Sequence, residues 1–251
     1  MSSIKKNKKV LAAVYLILRV FVIGVMVRQI WIGNYINVML CALTLVLFML
    51  PSFVEKRIKI EIPDALEIII LLFIFCAEIL GEIREYYIAF KYWDTMLHTV
   101  NGFLMAAIGF SLIDILNRNK RFSIQMSPIF VALVAFCFSM TIGVVWEFYE
   151  YGMDKFFLAD MQKDTYLEQV SSVELNPDGR NSPEVIKIES VVVNGDEWRG
   201  YLDTGLIDTM NDLFVNFIGA VVYSVIGYFY VKSRTNSNII RGLKLELIDE
   251  A

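Results

Sequence analysis

The stretch YWDTMLHTVNGFLMAAIGFSLIDIL, residues 92–116, decides the fold class, because it is almost continuously apolar over the length of a membrane span. About 20 mostly apolar residues suffice to cross about 30 Å of hydrocarbon as a helix. The first two turns nevertheless carry Asp94, His98 and Asn101, and His98 is the only histidine in the chain. Spacings of four and three place these side chains on one face of the predicted helix.

The composition of the whole chain is typical of a membrane protein. Hydrophobic residues make up 57% of the 251 residues, whereas about half is usual in soluble domains. The apolar runs are continuous and lack the alternating ten-residue segments of an outer-membrane barrel, which favours helices. The sequence therefore predicts an all-α integral membrane protein in a lipid bilayer. Six transmembrane helices are predicted, at residues 10–30, 35–54, 64–82, 94–116, 127–150 and 207–231.

The distribution of Lys and Arg predicts the orientation of these spans. Basic residues concentrate in the amino-terminal segment, after the second and fourth spans, and after the last span. Because short basic segments normally face the cytoplasm, both termini are predicted to be cytoplasmic, in a multi-pass protein of the cytoplasmic (plasma) membrane. The predicted regions are spans one to five in 1–150, an extracytoplasmic loop in 151–206, span six in 207–231 and a cytoplasmic tail in 232–251.

The extracytoplasmic loop carries the sequence signal of a β-hairpin. The stretch VIKIESVVVNGDEWRGYLD, residues 185–203, has β-branched residues before Asn194-Gly195 and a mixed run after it. An Asn-Gly pair between such runs is the strongest short-range indication of a hairpin. We therefore predict a small β-element in this loop, serving as a lid, a spacer or a surface that binds a partner.

Two other predicted spans carry polar residues at helical spacing near the same membrane face. Span five ends outside and span six begins outside, so their polar ends are predicted to meet the first turns of span four. Ionisable groups in hydrocarbon cost free energy and normally face the bundle interior, where they find partners. The positions are Glu147, Glu150 and Asp154 on span five, and Asp208, Asp212 and Asn216 on span six.

These residue types suit two kinds of chemistry. Imidazole nitrogen and carboxylate oxygens can bind a divalent ion such as zinc, manganese or magnesium, which would also neutralise neighbouring acids. Without a metal, crowded acids raise one another's pKa, and one of them can hold a proton beside the imidazole for acid–base catalysis. We take His98, Glu147 and Asp212 as the first candidates for metal ligands or catalytic groups.

The other polar residues have weaker assignments. Glu150, Asp208 and Asp94 are further catalytic candidates, although Asp94 and Asp208 can instead cap their helices. Asn101 and Asn216 are candidates for binding substrate, and amides in such positions also join helices by hydrogen bonds. Arg28, near the outer end of span one, is a candidate for binding an anionic group such as a lipid phosphate.

Three segments together resemble a known family. The segments D-T-M-L-H at 94–98, W-E-F-Y-E at 146–150 and D-T-M-N-D-L-F-V-N-F-I-G-A at 208–220 are similar to the YjdF-type family of uncharacterised multi-pass bacterial membrane proteins. More distantly, a His opening one span, a Glu ending the next and D-x-x-x-N-x-x-G in the last resemble the VanZ-like proteins. The resemblance implies a bacterial cell-envelope protein and, on the VanZ-like side, an association with tolerance of glycopeptide antibiotics.

The sequence supports three hypotheses for function and leaves the oligomeric state open. The first is a site that acts on an envelope lipid or a lipid-linked glycan; the others are an ion-coupled transporter and a membrane scaffold whose polar core is structural. Scattered basic residues indicate no nucleic-acid partner. Walker, GxSxG, HExxH and GxGxxG patterns are absent from the sequence, so these local motifs give no support to nucleotide or protease chemistry.

Overall fold

The computed structural model describes residues 8–118, 126–233 and 242–247. The chain forms two compact units, Met1–Gly143 with Val215–Ala251, here called the bundle unit, and Val144–Phe214, called the loop unit. The described α-helices are α1 (Lys8–Ile32), α2 (Tyr35–Leu47), α3 (Leu50–Ile58), α4 (Asp64–Phe75), α5 (Tyr86–Ala89), α6 (Trp93–Arg118), α7 (Pro128–Phe157) and α8 (Leu206–Ser233).

Five helical segments of the described chain are long and apolar enough to cross a membrane. They agree with five of the six predicted spans, because hydrophobic length is a local property of the sequence. The chain is therefore a mostly helical, multi-pass membrane protein. The segments are Lys9–Ile32, Tyr35–Arg57, Trp93–Leu116, Pro128–Phe157 and Leu206–Ser233.

The remaining predicted span, residues 64–82, has a different structure from the other five. It consists of α4 followed directly by a π-helix, Cys76–Ile83. A π-helix is rare, and it widens the turn by hydrogen bonding each residue to the fifth residue along. Hydropathy alone predicted a regular span here, since a window of apolar residues carries no information about the hydrogen-bond register.

Helix α6 is the most buried of the membrane helices. In the described chain, 44% of its most apolar window is buried, against 11% for α1. Its residues Leu104, Ala107 and Phe110 belong to the larger hydrophobic core of the bundle unit, together with Ala220 and Tyr223 of α8. Phe110 and Tyr223 meet edge to face, with ring centroids 5.9 Å apart. The α6–α8 contact therefore forms the centre of the bundle unit.

A short carboxyl-terminal segment packs back onto the bundle unit. Strand β8 (Glu246–Leu247) pairs antiparallel with β1 (Ile60–Glu61). The ammonium of Lys244 lies 2.6 Å from the carboxylate of Asp114 on α6, with both side chains less than one-tenth exposed. The Leu245 N–H donates to the Ser111 hydroxyl at 3.0 Å. This part of the predicted tail is thus an integral part of the core.

The loop unit contains short antiparallel strand pairs between its two helical ends. Val191–Val193 pairs with Asp196–Trp198 across Asn194 and Gly195, which have φ of 53° and 97°. Positive φ at both central residues is what a tight two-residue connection requires. The strands are β2 (Tyr166–Leu167), β3 (Gln169–Ser172), β4 (Glu184–Lys187), β5 (Val191–Val193), β6 (Asp196–Trp198) and β7 (Tyr201–Leu202), in the pairs β2–β7, β3–β4 and β5–β6.

Candidate functional site

Asp94 and His98 lie together at the start of α6. The Nε2 atom of His98 is 3.5 Å from a carboxylate oxygen of Asp94, one helical turn earlier. The His98 side chain is 8% exposed and that of Asp94 is 27% exposed. The acid therefore lies beside the buried imidazole, where it can orient the ring.

Helices α6, α7 and α8 meet at what we call the three-helix junction, formed by Asn101, Gly102, Ser139, Gly143 and Asn216. The Asn101 amide donates to the Asn216 side-chain oxygen at 3.2 Å, and the Ser139 hydroxyl donates to the Gly102 carbonyl at 2.7 Å. A Cβ on Gly102 would lie 2.1 Å from the Asn216 carbonyl, and one on Gly143 would lie 2.8 Å from the Asn216 amide. Glycine therefore permits the close approach of the helices, and the two amides join α6 to α8.

Three candidate acids are buried in the loop unit. Glu147 is 4% exposed, Glu150 is 8% exposed and Asp212 is 3% exposed. Glu150 accepts a hydrogen bond from the Trp146 indole at 2.9 Å, one turn earlier on α7. Burying an ionised carboxylate costs free energy unless hydrogen-bond donors or a cation compensate it. Acids at these three positions therefore indicate a structural or functional role.

Asp154 and Asp208 bind backbone groups of the loop that follows α7. The Asp154 carboxylate accepts the N–H groups of Met161 at 2.7 Å and Gln162 at 2.8 Å. The Asp208 carboxylate accepts the Lys163 N–H at 2.6 Å. Charged acceptors form stronger hydrogen bonds than neutral ones, so the two acids fix the path of residues 161–163. This anchoring is a structural role for both acids, and the catalytic role of Asp208 stays a prediction.

Asp203 has a similar role at the start of α8, although no pattern in the sequence had marked this residue. Its carboxylate accepts N–H groups from Thr165 at 2.7 Å, Ile207 at 2.9 Å and Gly205 at 3.4 Å. Burial alone would raise the pKa of Asp203, but these N–H donors outweigh that effect and hold the pKa below its usual value. Asp203 therefore stays ionised and ties β7 to the first turn of α8.

Arg28, the candidate for binding an anionic group, lies on α1. Its side chain on α1 is exposed, and its predicted role in binding an anion stays a prediction. On the same helix, the Tyr15 hydroxyl donates to Glu67 of α4 at 2.7 Å, and the Arg19 guanidinium lies 5.0 Å from the centre of the Tyr15 ring. No pattern in the sequence identified Tyr15 or Glu67 as neighbours of Arg19.

The comparisons with known proteins agree with a membrane protein. One matching relative is an uncharacterised protein of Thermotoga maritima, 28% identical over 105 residues, which cover 42% of this chain and 52% of the relative. The chain thus matches about half the length of that curated relative, and no solved structure matches. The family described as "Predicted membrane protein (DUF2238)" matches residues 11–233 and is the YjdF-type family. Because this match spans most of the sequence, the chain belongs to the DUF2238 family of membrane proteins.

Proposed function

We propose that the chain is a cell-envelope membrane enzyme that acts on an envelope lipid or a lipid-linked glycan. His98, Glu147 and Asp212 are its reactive groups, as metal ligands or as acid–base catalysts. The observation that carries this proposal is that the three groups are buried, at 7%, 4% and 3% exposure, on helices of a membrane protein. Buried ionisable residues in membrane helices are rare and usually functional.

The spacing along each helix supports the choice of these three groups. His98 precedes Gly102 by four residues on α6, Asp212 precedes Asn216 by four residues on α8, and Glu147 follows Gly143 by four residues on α7. Because four residues are close to one helical turn, each group shares a face of its own helix with a residue of the junction.

Helices α6 and α8 run in the same direction within the bundle unit. Phe103 contacts Tyr223, and Phe110, further along α6, contacts Tyr230, further along α8. The hydrogen bond between Asn101 and Asn216 joins these two parallel helices.

The chemistry of that site would suit an attack on a headgroup bond. His98, Glu147 and Asp212 would hold a divalent ion, which would activate a water molecule and polarise a substrate oxygen. In the absence of an ion, the same groups can donate and accept protons. Asp94 orients His98, and the hydrogen bond between Asn101 and Asn216 joins α6 to α8. Glu150 is a further candidate for the catalytic acid.

Elemental analysis of the purified full chain tests the metal role. We expect close to one zinc or manganese ion per chain in the wild type, and a loss of at least about tenfold in His98→Ala and Asp212→Ala, since each variant removes a ligand. Asp154→Asn is the control, because Asp154 binds backbone N–H groups and should leave the metal content unchanged. Equal metal content in all four proteins would contradict the assignment.

A metal-free wild type would leave acid–base chemistry, which a second measurement tests. His98→Ala and Asp212→Ala, expressed at the wild-type level, should then fail to complement the envelope defect of a deletion strain. Full restoration by both variants would exclude a reactive role for these residues and would favour a structural polar core.

We also propose six spans in the plasma membrane, with both termini cytoplasmic and the loop unit outside. Single cysteines in a background lacking Cys41, Cys76 and Cys137 test this with a membrane-impermeant maleimide. We expect labelling of Ser190→Cys and Ile88→Cys in intact cells, and labelling of Lys56→Cys only after permeabilisation. If Ile88→Cys behaves like Lys56→Cys, then α4 and the π-helix do not cross the bilayer.

A further inference from the structure

Residues 242–247, here called the strap, contact the amino-terminal part of the bundle unit on one side. Strand β8 of the strap forms two residue pairs with β1, which directly precedes α4 in the chain. A Cβ on Gly242 would lie 3.7 Å from the Cβ of Ala65, the second residue of α4. This side of the strap is therefore in contact with both β1 and the start of α4.

The other side of the strap contacts α6 through polar groups. The Lys244 ammonium lies 2.6 Å from the Asp114 carboxylate, and the Leu245 N–H donates to the Ser111 hydroxyl at 3.0 Å. Ser111 and Asp114 are three residues apart and so lie on one face of α6. The strap thus joins β1 and α4 to α6.

Three successive residues of the strap are buried. Leu243 is 7% exposed, and Lys244 and Leu245 are each 4% exposed. The two leucines belong to the same hydrophobic core as Leu66 of α4 and Phe110 of α6. Because successive side chains point in different directions, their common burial shows that the strap has neighbours on more than one side.

The polar contacts of the strap can be exchanged for contacts with water. Closing the strap removes the charges of Lys244 and Asp114 from water, which offsets much of their attraction. Asp114 lies about one turn before α6 ends at Arg118, so water can reach it once the strap has left. Segments with few buried apolar groups open at a lower free energy than core helices. The strap should therefore open before the helices unfold.

The connection to α8 is long enough for such a movement. Residues 234–241 lie between the end of α8 and the strap. A chain of that length can span up to about 28 Å. The strap can therefore leave β1 and α6 without unfolding α8.

We propose that the strap is a latch that opens and closes on a folded bundle unit. When closed, it joins β1 and α4 to α6 and covers Asp114. When open, it releases these two parts from each other and gives water and cations access to the Asp114 carboxylate. This inference goes beyond the proposed function and does not depend on it, because the strap contacts that carry it involve none of the proposed reactive groups.

Thiol labelling of the purified full chain, in the cysteine-free background described above, measures the opening of the strap. Leu245→Cys is the probe on the strap, and Leu104→Cys on α6 is the matched control. Both are leucines of one hydrophobic core, at 4% and 2% exposure. A water-soluble maleimide should modify Leu245→Cys at least about a hundredfold faster than Leu104→Cys, because only local opening is needed.

A disulfide between Ala65→Cys and Gly242→Cys locks the latch in the same experiment. The Cβ atoms at these positions would lie 3.7 Å apart, within the range of about 3.5 to 4.5 Å found in disulfides. With the lock oxidised, Leu245→Cys should react no faster than Leu104→Cys in the same locked background. Reduction of the lock should restore the difference between the two rates.

Two outcomes would overturn the proposal. Equal labelling rates without the lock would show that the strap opens only when the bundle unit unfolds as a whole. Fast labelling of Leu245→Cys that the oxidised lock does not slow would show that the reagent reaches this position while the strap stays on α4. Leu243→Cys, at a position 7% exposed, replaces Leu245→Cys if that variant does not fold.

Discussion

Replacing Lys244 with methionine is expected to lower the free energy of unfolding by about 3 to 5 kcal/mol. The Lys244 ammonium lies 2.6 Å from the Asp114 carboxylate, and both side chains are buried. Removing one partner of a buried ion pair leaves the other charge without its counterion, which costs far more than the pair contributes when intact. Methionine has a similar length, so the loss of packing should be small. Titration of the purified protein with a denaturing detergent measures the change.

Two variants show whether the charge or the packing is responsible. In the double variant Lys244→Met with Asp114→Leu, no charge is left uncompensated, and most of the lost stability should return. Lys56→Met on the exposed face of α3 should change stability by no more than about 0.5 kcal/mol. If the double variant is as unstable as the single one, the ion pair is not the reason that this segment stabilises the bundle unit.

The second large effect is expected at the three-helix junction. Gly102→Ala should destabilise the protein by about 3 kcal/mol, at the upper end of the usual cost of overpacking. The new Cβ would lie 2.1 Å from the Asn216 carbonyl, a backbone atom that no side-chain rotation can move. Helices α6 and α8 would have to separate, which stretches the Asn101–Asn216 hydrogen bond. The same detergent titration gives the free energy of unfolding.

The control for Gly102→Ala is the same substitution at an open position. Gly24→Ala on α1 places its Cβ where no atom lies within 4 Å, so it should be neutral or stabilising by up to about 1 kcal/mol. If the two alanine variants are equally stable, then α6 and α8 do not approach as closely as described. A loss confined to Gly102→Ala would support the close approach.

The membrane helices could be predicted because their signal is local. A run of about 20 apolar residues identifies a span without reference to any other part of the chain. The π-helix at Cys76–Ile83 and the return of Lys244 to Asp114 could not be found in this way. The first depends on hydrogen-bond register, and the second joins a short, unpatterned segment to a residue far away in the chain.

The polar residues of the candidate site also have contacts that a local sequence pattern cannot reveal. Helical spacing identified Asp94, His98, Asn101 and Asn216, and the contacts of the bundle unit join them into two pairs, Asp94–His98 and Asn101–Asn216. Spacing made Asp208 a further catalytic candidate beside Asp212. The hydrogen bond from the Lys163 N–H to Asp208 could not be predicted, because no pattern along α8 indicates which acid contacts a loop backbone.

The two partners of the buried ion pair are synthesised at different times. Ser111 and Leu245, which hydrogen bond beside the pair, are 134 positions apart in the chain. At about 5 to 20 residues per second, a ribosome needs roughly 7 to 27 s to translate that distance. Helix α6 therefore enters the membrane with Asp114 long before its cation exists. Premature stop codons between Ser233 and Lys244 would make that interim state permanent, so quality-control proteases should degrade such truncated chains although α1 to α8 are present.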